Sequence, residues 1–353
     1  MAYTAIDDPE LYFQTKLFTG TGSALSVTLD GDENMQPDLV WIKERSESDS
    51  AHNLTDSVRG AGKGLFSNTS AAEYDYGTGS DGSVLTFASD GFTLGTATQV
   101  NPSSVTMVSW NWKAGTTSGI SGSPSITPSG YSFNQTSGFS IITYEGDGND
   151  GDTIPHGLGV KPDVVFFKKT DGATNWVVQS NLLGNRVQLV LNDTDAENTD
   201  ARLGASDDWD TTTVELGTYG DLNNDGDDFV AYCWSSIQGY SKIGLYTGNG
   251  DADGTFVYTG FRPAYVMVKN IDEAENWIIF DNKRPGYNLT DALLKPNLVN
   301  AESTSGVKFD LLSNGFKARV SDAEGNSDGG SFVYIAFAES PFVNSSGVPN
   351  NAR

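Results

Sequence analysis

"PDLVWIK" (residues 37–43), "PDVVFFK" (162–168) and "PAYVMVK" (263–269) are three versions of one heptapeptide in a single chain. Each opens with a proline that follows a candidate turn. Each then runs through apolar residues, alternating or continuous, to a lysine. That pattern predicts β-strands. Some 70 residues further on stand "VTMVSWNWKAG" (105–115), "DFVAYCWSSIQG" (228–239) and "SFVYIAFAESPF" (331–342). The separations Pro37 to Trp112, Pro162 to Trp234 and Pro263 to Phe337 are 75, 72 and 74 positions. Agreement within three residues points to an internal repeat with a unit near 100 residues.

Other stretches extend the match. "LFTGTGS" (17–23), "ITYEGDGND" (142–150) and "GLYTGNGDADG" (244–254) each precede their anchor. "TNWVVQ" (174–179) matches "ENWIIFD" (275–281), "SDGFTLG" (89–95) matches "SNGFKAR" (313–319), and "NLTD" occurs at 53–56 and again at 288–291. A unit of this length is too long for a solenoid repeat or a propeller blade and suits a small sandwich of seven or eight short strands. The expected fold is all-β, with three tandem β-sandwich repeats of jelly-roll or lectin-like type. They cover residues 1–115, 139–239 and 240–353, with a Gly/Ser/Pro linker at 116–138 whose Ile120, Ile126, Tyr131 and Phe133 have side chains to bury. One helical turn is expected in each of "AAEYDYG" (71–77) and "TDALLKPN" (290–297), the second ended by Pro296. Val40, Phe166 and Val268, or their immediate neighbours, should be buried at matching places.

Composition narrows the function. The 353 residues include 40 glycines, and 46 acidic residues outnumber 21 basic ones for a net charge of −25. Such a field repels phosphate backbones and anionic lipid surfaces, so nucleic acid is not an expected partner. No apolar run approaches the ~18 residues of a membrane span. The first residues carry no basic stretch followed by an apolar one, so no secretory signal is expected. Cys233 is the only cysteine, which rules out an intrachain disulfide. It sits in an apolar run and reads as a small buried hydrophobe.

Few residues suggest chemistry. The two histidines, His52 and His156, are far apart in sequence. His156 in "IPHGLG" reads as structural, and His52 lacks a partner for metal binding. No nucleophile-elbow serine is present. "DLNNDG" (221–226) has the spacing of the first half of an EF-hand loop, with Asp221, Asn223 and Asp225 as calcium ligands. "NGDADG" (249–254) offers Asn249, Asp251 and Asp253 in the same way. Neither loop has glutamate at its twelfth position, and the same residues also build hairpin turns. Trp176 and Trp277 occupy matching places and read as core anchors. Trp209, in "SDDWDTT", is the expected exposed tryptophan for stacking on a ligand such as a sugar.

"FTGTGS…QPDLVWIKERS…HNLTDSVRGAGKGLFSN…SDGFTLG…SWNWKAG" resembles a repeat of tailed-phage virion proteins, notably from marine and environmental phages. So do "HGLGVKPDVVFFKKTD…NWVV…FVAYCW" and "YTGNGDADGTFVYTGFRPAYVMVKN…NWIIFDNKRPGYN…LLSNGFKAR…FVYIAFAESPF". The resemblance covers almost the whole chain. It implies a structural protein on the particle exterior, assembled in the host cytoplasm: a tail-fibre or tail-tip component, or alternatively a capsid decoration or head-fibre protein. Its partners would be other virion proteins and a host-surface glycan or protein, with a homo-oligomer, favouring a trimer, as the assembly. The resemblance carries no catalytic residues, and no enzyme is expected. A glycan depolymerase, the reading from a different class, would need two carboxylates at a fixed separation in a cleft.

Overall fold

A computed structural model of the chain describes residues 3–48 and 50–351. The protein is all-β, built from several antiparallel sheets, none of them closed. Three large sheets share one strand order. In each, an opening strand (Phe13–Thr19, Phe139–Glu145, Ser241–Thr247) pairs with a closing strand (Thr106–Trp112, Asp228–Trp234, Ser331–Pro341). The closing strand pairs with the strand led by the proline heptapeptide (Leu39–Glu44, Val164–Lys169, Phe261–Asn270), and that strand pairs with a fourth (Asn53–Asp56, Val177–Ser180, Ile278–Asp281). The register repeats as well: Leu39 lies opposite Trp112, Val164 opposite Trp234 and Tyr265 opposite Phe337. A smaller sheet backs each large one. In the first and third cases it has three strands (Leu25–Val27, Gly91–Leu94, Val84–Ala88; and Phe256–Tyr258, Gly315–Ala318, Phe309–Leu312). In the second it has two (Thr153–Pro155 and Thr213–Glu215). Each large sheet with its backing sheet is called a unit below.

The heptapeptides are apolar throughout because both faces of their strands are covered. Side chains of a strand alternate between faces. Val40 and Ile42 point into a core between the first large sheet and its backing sheet, whereas Leu39 and Trp41 point the other way. Val165 and Phe167 alternate with Val164 and Phe166 in the second unit, and Val266 and Val268 with Tyr265 and Met267 in the third. The second set of faces from all three sheets meets in one common core, the largest in the molecule. Rings from different units touch there: Phe13 and Phe337 stack at 5.2 Å, Trp112 meets Trp234 at 6.2 Å and Trp110 meets Tyr265 at 5.8 Å. Packing of this kind adds edge-on aromatic attraction to the burial of large apolar surfaces. A void of only about 10 Å³ remains at the centre, bordered by Trp41, Phe166 and Met267 among others. Each unit therefore has its own apolar centre and also shares a fourth. Val40, Phe166 and Val268 are all buried, but by register the matched trio facing the common core is Trp41, Phe166 and Met267.

Two local expectations are corrected. Tyr74–Asp75 is a strand, and residues 290–297 form isolated bridges and turns, so neither stretch is helical. The two NLTD sequences do not correspond: Asn53–Asp56 is the fourth strand of the first sheet and matches Ile278–Asp281. Asn288, in contrast, brackets the backbone of Leu311 through both atoms of its amide. Residues read as a linker contribute Gly130–Asn134, which pairs with the opening strand of the second sheet, and Ile126 and Phe133 are buried. Among the described residues, no helix is long and apolar enough to cross a membrane.

Candidate functional site

The heptapeptide lysines end on the seams between units. Lys43, Lys168 and Lys269 are fully buried. An ammonium group is tolerated there because its donors reach backbone carbonyls. Each lysine binds at least one carbonyl of its own unit and one of a neighbour, and Lys269 also binds Asn270 O. Lys43 Nζ donates to Ser50 and Val299 (2.9 Å each), Lys168 Nζ to Thr174 and Ser70, and Lys269 Nζ to Glu273 and Thr194. The order is cyclic: first unit to third, second to first, third to second. Burial lowers Lys168 and Lys269 to about 8. Main-chain bonds join the same seams in the reverse direction, from the amides of Glu73, Glu197 and Glu302 to the carbonyls of Thr170, Ile271 and Arg45, each at 2.8 Å.

Just before each fourth strand stands His52, Trp176 or Trp277. The Trp176 indole donates to Phe66 O (2.8 Å) and the Trp277 indole to Val190 O (2.9 Å). His52 takes the same place in the first unit. Its Nδ1 accepts from the Trp41 indole at 3.0 Å, so the proton resides on Nε2, which lies against the main chain of Lys295 outside strict hydrogen-bond geometry. Burial, then Lys43, pushes its pKa well below the usual range, so the ring is neutral.

Two seams carry a buried ion pair of identical construction. Asp56 and Arg59 pair at 2.6 Å, as do Asp281 and Arg284. In each pair the second carboxylate oxygen accepts the two backbone amides that follow, and the guanidinium also reaches a carbonyl of its own strand (Leu54 or Ile279) and a glutamate (Glu73 or Glu302). A closing-strand residue of a neighbouring unit completes the set: Tyr232 OH donates to Asp56 Oδ2 at 2.7 Å and Trp110 Nε1 to Asp281 Oδ2 at 3.0 Å. In the second unit Ser180 and Leu183 occupy these places, and the closing-strand counterpart in the third unit is Ile335. The third seam therefore lacks the ion pair and keeps the lysine and main-chain bonds. The D-x-x-R signal at 56–59 and 281–284 was available in the sequence but hidden by pairing the wrong NLTD segments.

The loops singled out for calcium have another role. Asn223 is fully buried: its Oδ1 accepts from Asp147 N, and its Nδ2 donates to Asn149 O and Gly217 O. Asn101 and Asn326 make matching brackets, and all three asparagines stand five residues before a closing strand. They pin the G-x-G turns after the opening strands, where Gly22, Gly148 and Gly250 have φ of +64°, +70° and +63°. Asp221 lies in the first half of a single helical turn, Gly220–Asn223, and Asp225 is exposed. Asn249 bonds Asn326, Asp251 and Asp253 through side chain and main chain, and Asp253 pairs with Lys317. Among the described residues no group of three or more His, Cys, Asp or Glu side chains is gathered as a metal cage.

Trp209 is 3% exposed, in the second unit's own core, with its indole N–H on Glu215 O. It offers no face for stacking. Its acidic neighbours point outward while the ring turns inward, and Asp210 caps the amides of Thr212 and Thr213. Cys233 is buried in the same core, and burial raises its thiol to about 12. His156 accepts from Leu158 N through Nδ1 and faces Asp210 O through Nε2, and burial lowers its pKa to about 4. The unfolded chain then takes up this proton first, near 6.5. The stability contributed is present above pH 6.5 and lost as pH falls through 4, by about 3 kcal/mol. Urea unfolding at the two ends of that window should show His156→Gln losing less stability than the wild type on acidification. Equal losses would remove this role.

An open groove of roughly 380 Å³ lies beside the third unit, bordered by Tyr3, Ser236, Gln238, Lys242, Tyr258 and Gly260. Tyr258 ends a backing-sheet strand whose middle residue, Val257, is buried. Tyr258 and Phe256 therefore face outward, 49% and 44% exposed. Tyr3 OH donates to Gly260 O at 2.9 Å and lies 3.1 Å from Tyr258 OH, which fixes both rings at the rim. Composition gave no signal for this site, because tyrosine in a strand reads equally well as core.

The geometry defines a class: an all-β protein of backed antiparallel sheets whose buried charges lie along seams. The chain belongs to the family described as a domain of unknown function (DUF7483), which matches residues 8–341 and so spans all three large sheets. No curated protein matches the chain.

Proposed function

We propose that the chain is a non-catalytic structural protein of a phage particle's exterior, a tail-fibre or tail-tip component that contacts the host surface. In this reading it consists of three tandem jelly-roll or lectin-like sandwiches copied from one segment. The observation that carries it is the use made of the buried ionisable groups. The three lysines and the two Asp–Arg pairs are all engaged in holding unit to unit. Such wiring suits a part that must keep its shape. The acidic surface and the resemblance to tailed-phage repeats support the virion setting.

Immunogold labelling of intact particles with antibody to the purified chain tests this. Label at the tail is expected. Label confined to the head would favour the decoration reading, and particles without label would end the virion assignment.

A further inference from the structure

We infer that the groove between Tyr3 and Tyr258 binds a saccharide bearing a carboxylate. The inference rests on the host-contact part of the function proposed above and names the chemistry of the contact.

The groove's volume is within the range of small-molecule sites, and two tyrosines stand at its rim among the polar side chains of Ser236, Gln238, Ser241, Lys242 and Thr259. Tyr258 and Phe256 lie two residues apart on one strand face and are both exposed, with the Tyr258 ring at the groove. The C–H face of a pyranose packs on a tyrosine ring while its hydroxyls need donors and acceptors at the edges. Those are present. Gln238 is exposed and its side-chain amide makes no hydrogen bond among the described residues. Ser236 Oγ accepts from Ile243 N, which leaves its hydrogen free.

Lys242 supplies the charge preference. Acidic residues outnumber basic ones 46 to 21 in this chain, and most of its cations stand within 4.0 Å of a carboxylate or are bound to carbonyls. Lys242, at the groove, has neither partner among the described residues. An ammonium group on a flexible stem in a groove with tyrosines at its rim is suited to one carboxylate. The chain's net negative field disfavours a polyanion, but it is screened beyond about 8–10 Å and does not outweigh a charge pair at contact distance.

The full-length protein titrated calorimetrically with sialyllactose and digalacturonate, against lactose and galactobiose as neutral counterparts, tests this. Saturable binding of at least one acidic sugar is expected, about tenfold tighter than its neutral counterpart. Tyr258→Ala should weaken it about tenfold or more with an unchanged melting temperature, since the ring is at the surface. Lys242→Met should abolish the preference for the acidic sugar while leaving neutral-sugar binding in place. No saturable binding to any of the four, equal affinity for acidic and neutral sugars, or binding untouched by Tyr258→Ala would overturn the inference. None of these outcomes bears on particle location, which the labelling reads separately.

Discussion

Asp281→Ala is expected to cost about 4 kcal/mol, close to the largest effect a single substitution can have in a protein of ordinary stability. The carboxylate is fully buried and serves Arg284 Nε at 2.6 Å, Trp110 Nε1 at 3.0 Å and the amides of Lys283 and Arg284. Its removal leaves a guanidinium in the interior with only Glu302 and a carbonyl as partners, and deprives an indole of its acceptor. Asp56→Ala should behave alike, because Arg59 and Tyr232 are left in the same position. Ser180→Ala, at the corresponding place on the third seam, should cost only about 1–2 kcal/mol, the loss of two neutral hydrogen bonds, one to Asp163 O and one from Leu182 N. Denaturant unfolding of the three variants reads this directly. Equal costs at all three places would contradict the account of the seams.

Asn223→Ala is expected to cost about 3 kcal/mol, since three backbone groups around a fully buried amide lose their partner at once. The cost should be the same in millimolar calcium and in chelator. A stability that rises with calcium in the wild type and not in the variant would restore Asn223 as a ligand and displace the structural role. Asn326→Ala, with the matching bracket in the third unit, should cost a similar amount.

The two effects mark what the sequence could and could not convey. Strands were legible because their signal is local: a proline, an apolar run and a lysine in a fixed order, and glycines at turns. The common core was not. Trp110 and Asp281 are 171 positions apart, and nothing in the pattern of either neighbourhood indicates that a closing strand of one unit meets the fourth strand of another. The heptapeptide lysine marks the end of an apolar run, and nothing local to it indicates burial. It is buried because the carbonyls of the next unit come to meet it. Trp209 misled for the opposite reason: three acidic neighbours suggested exposure, but in a tight turn adjacent side chains point opposite ways. Asn223 misled because calcium loops and asparagine brackets draw on the same residues at the same short spacing, and only the direction of the amide separates them.

The central claim is that three backed sheets close around one core and act as a single body. Scanning calorimetry of the wild type and Asp281→Ala tests it most directly. The account expects one transition in each protein, with equal calorimetric and van't Hoff enthalpies, displaced as a whole by the substitution. Separate transitions, with only part of the heat absorption moving in Asp281→Ala, would show that the units unfold independently and that the shared core does not bind them together.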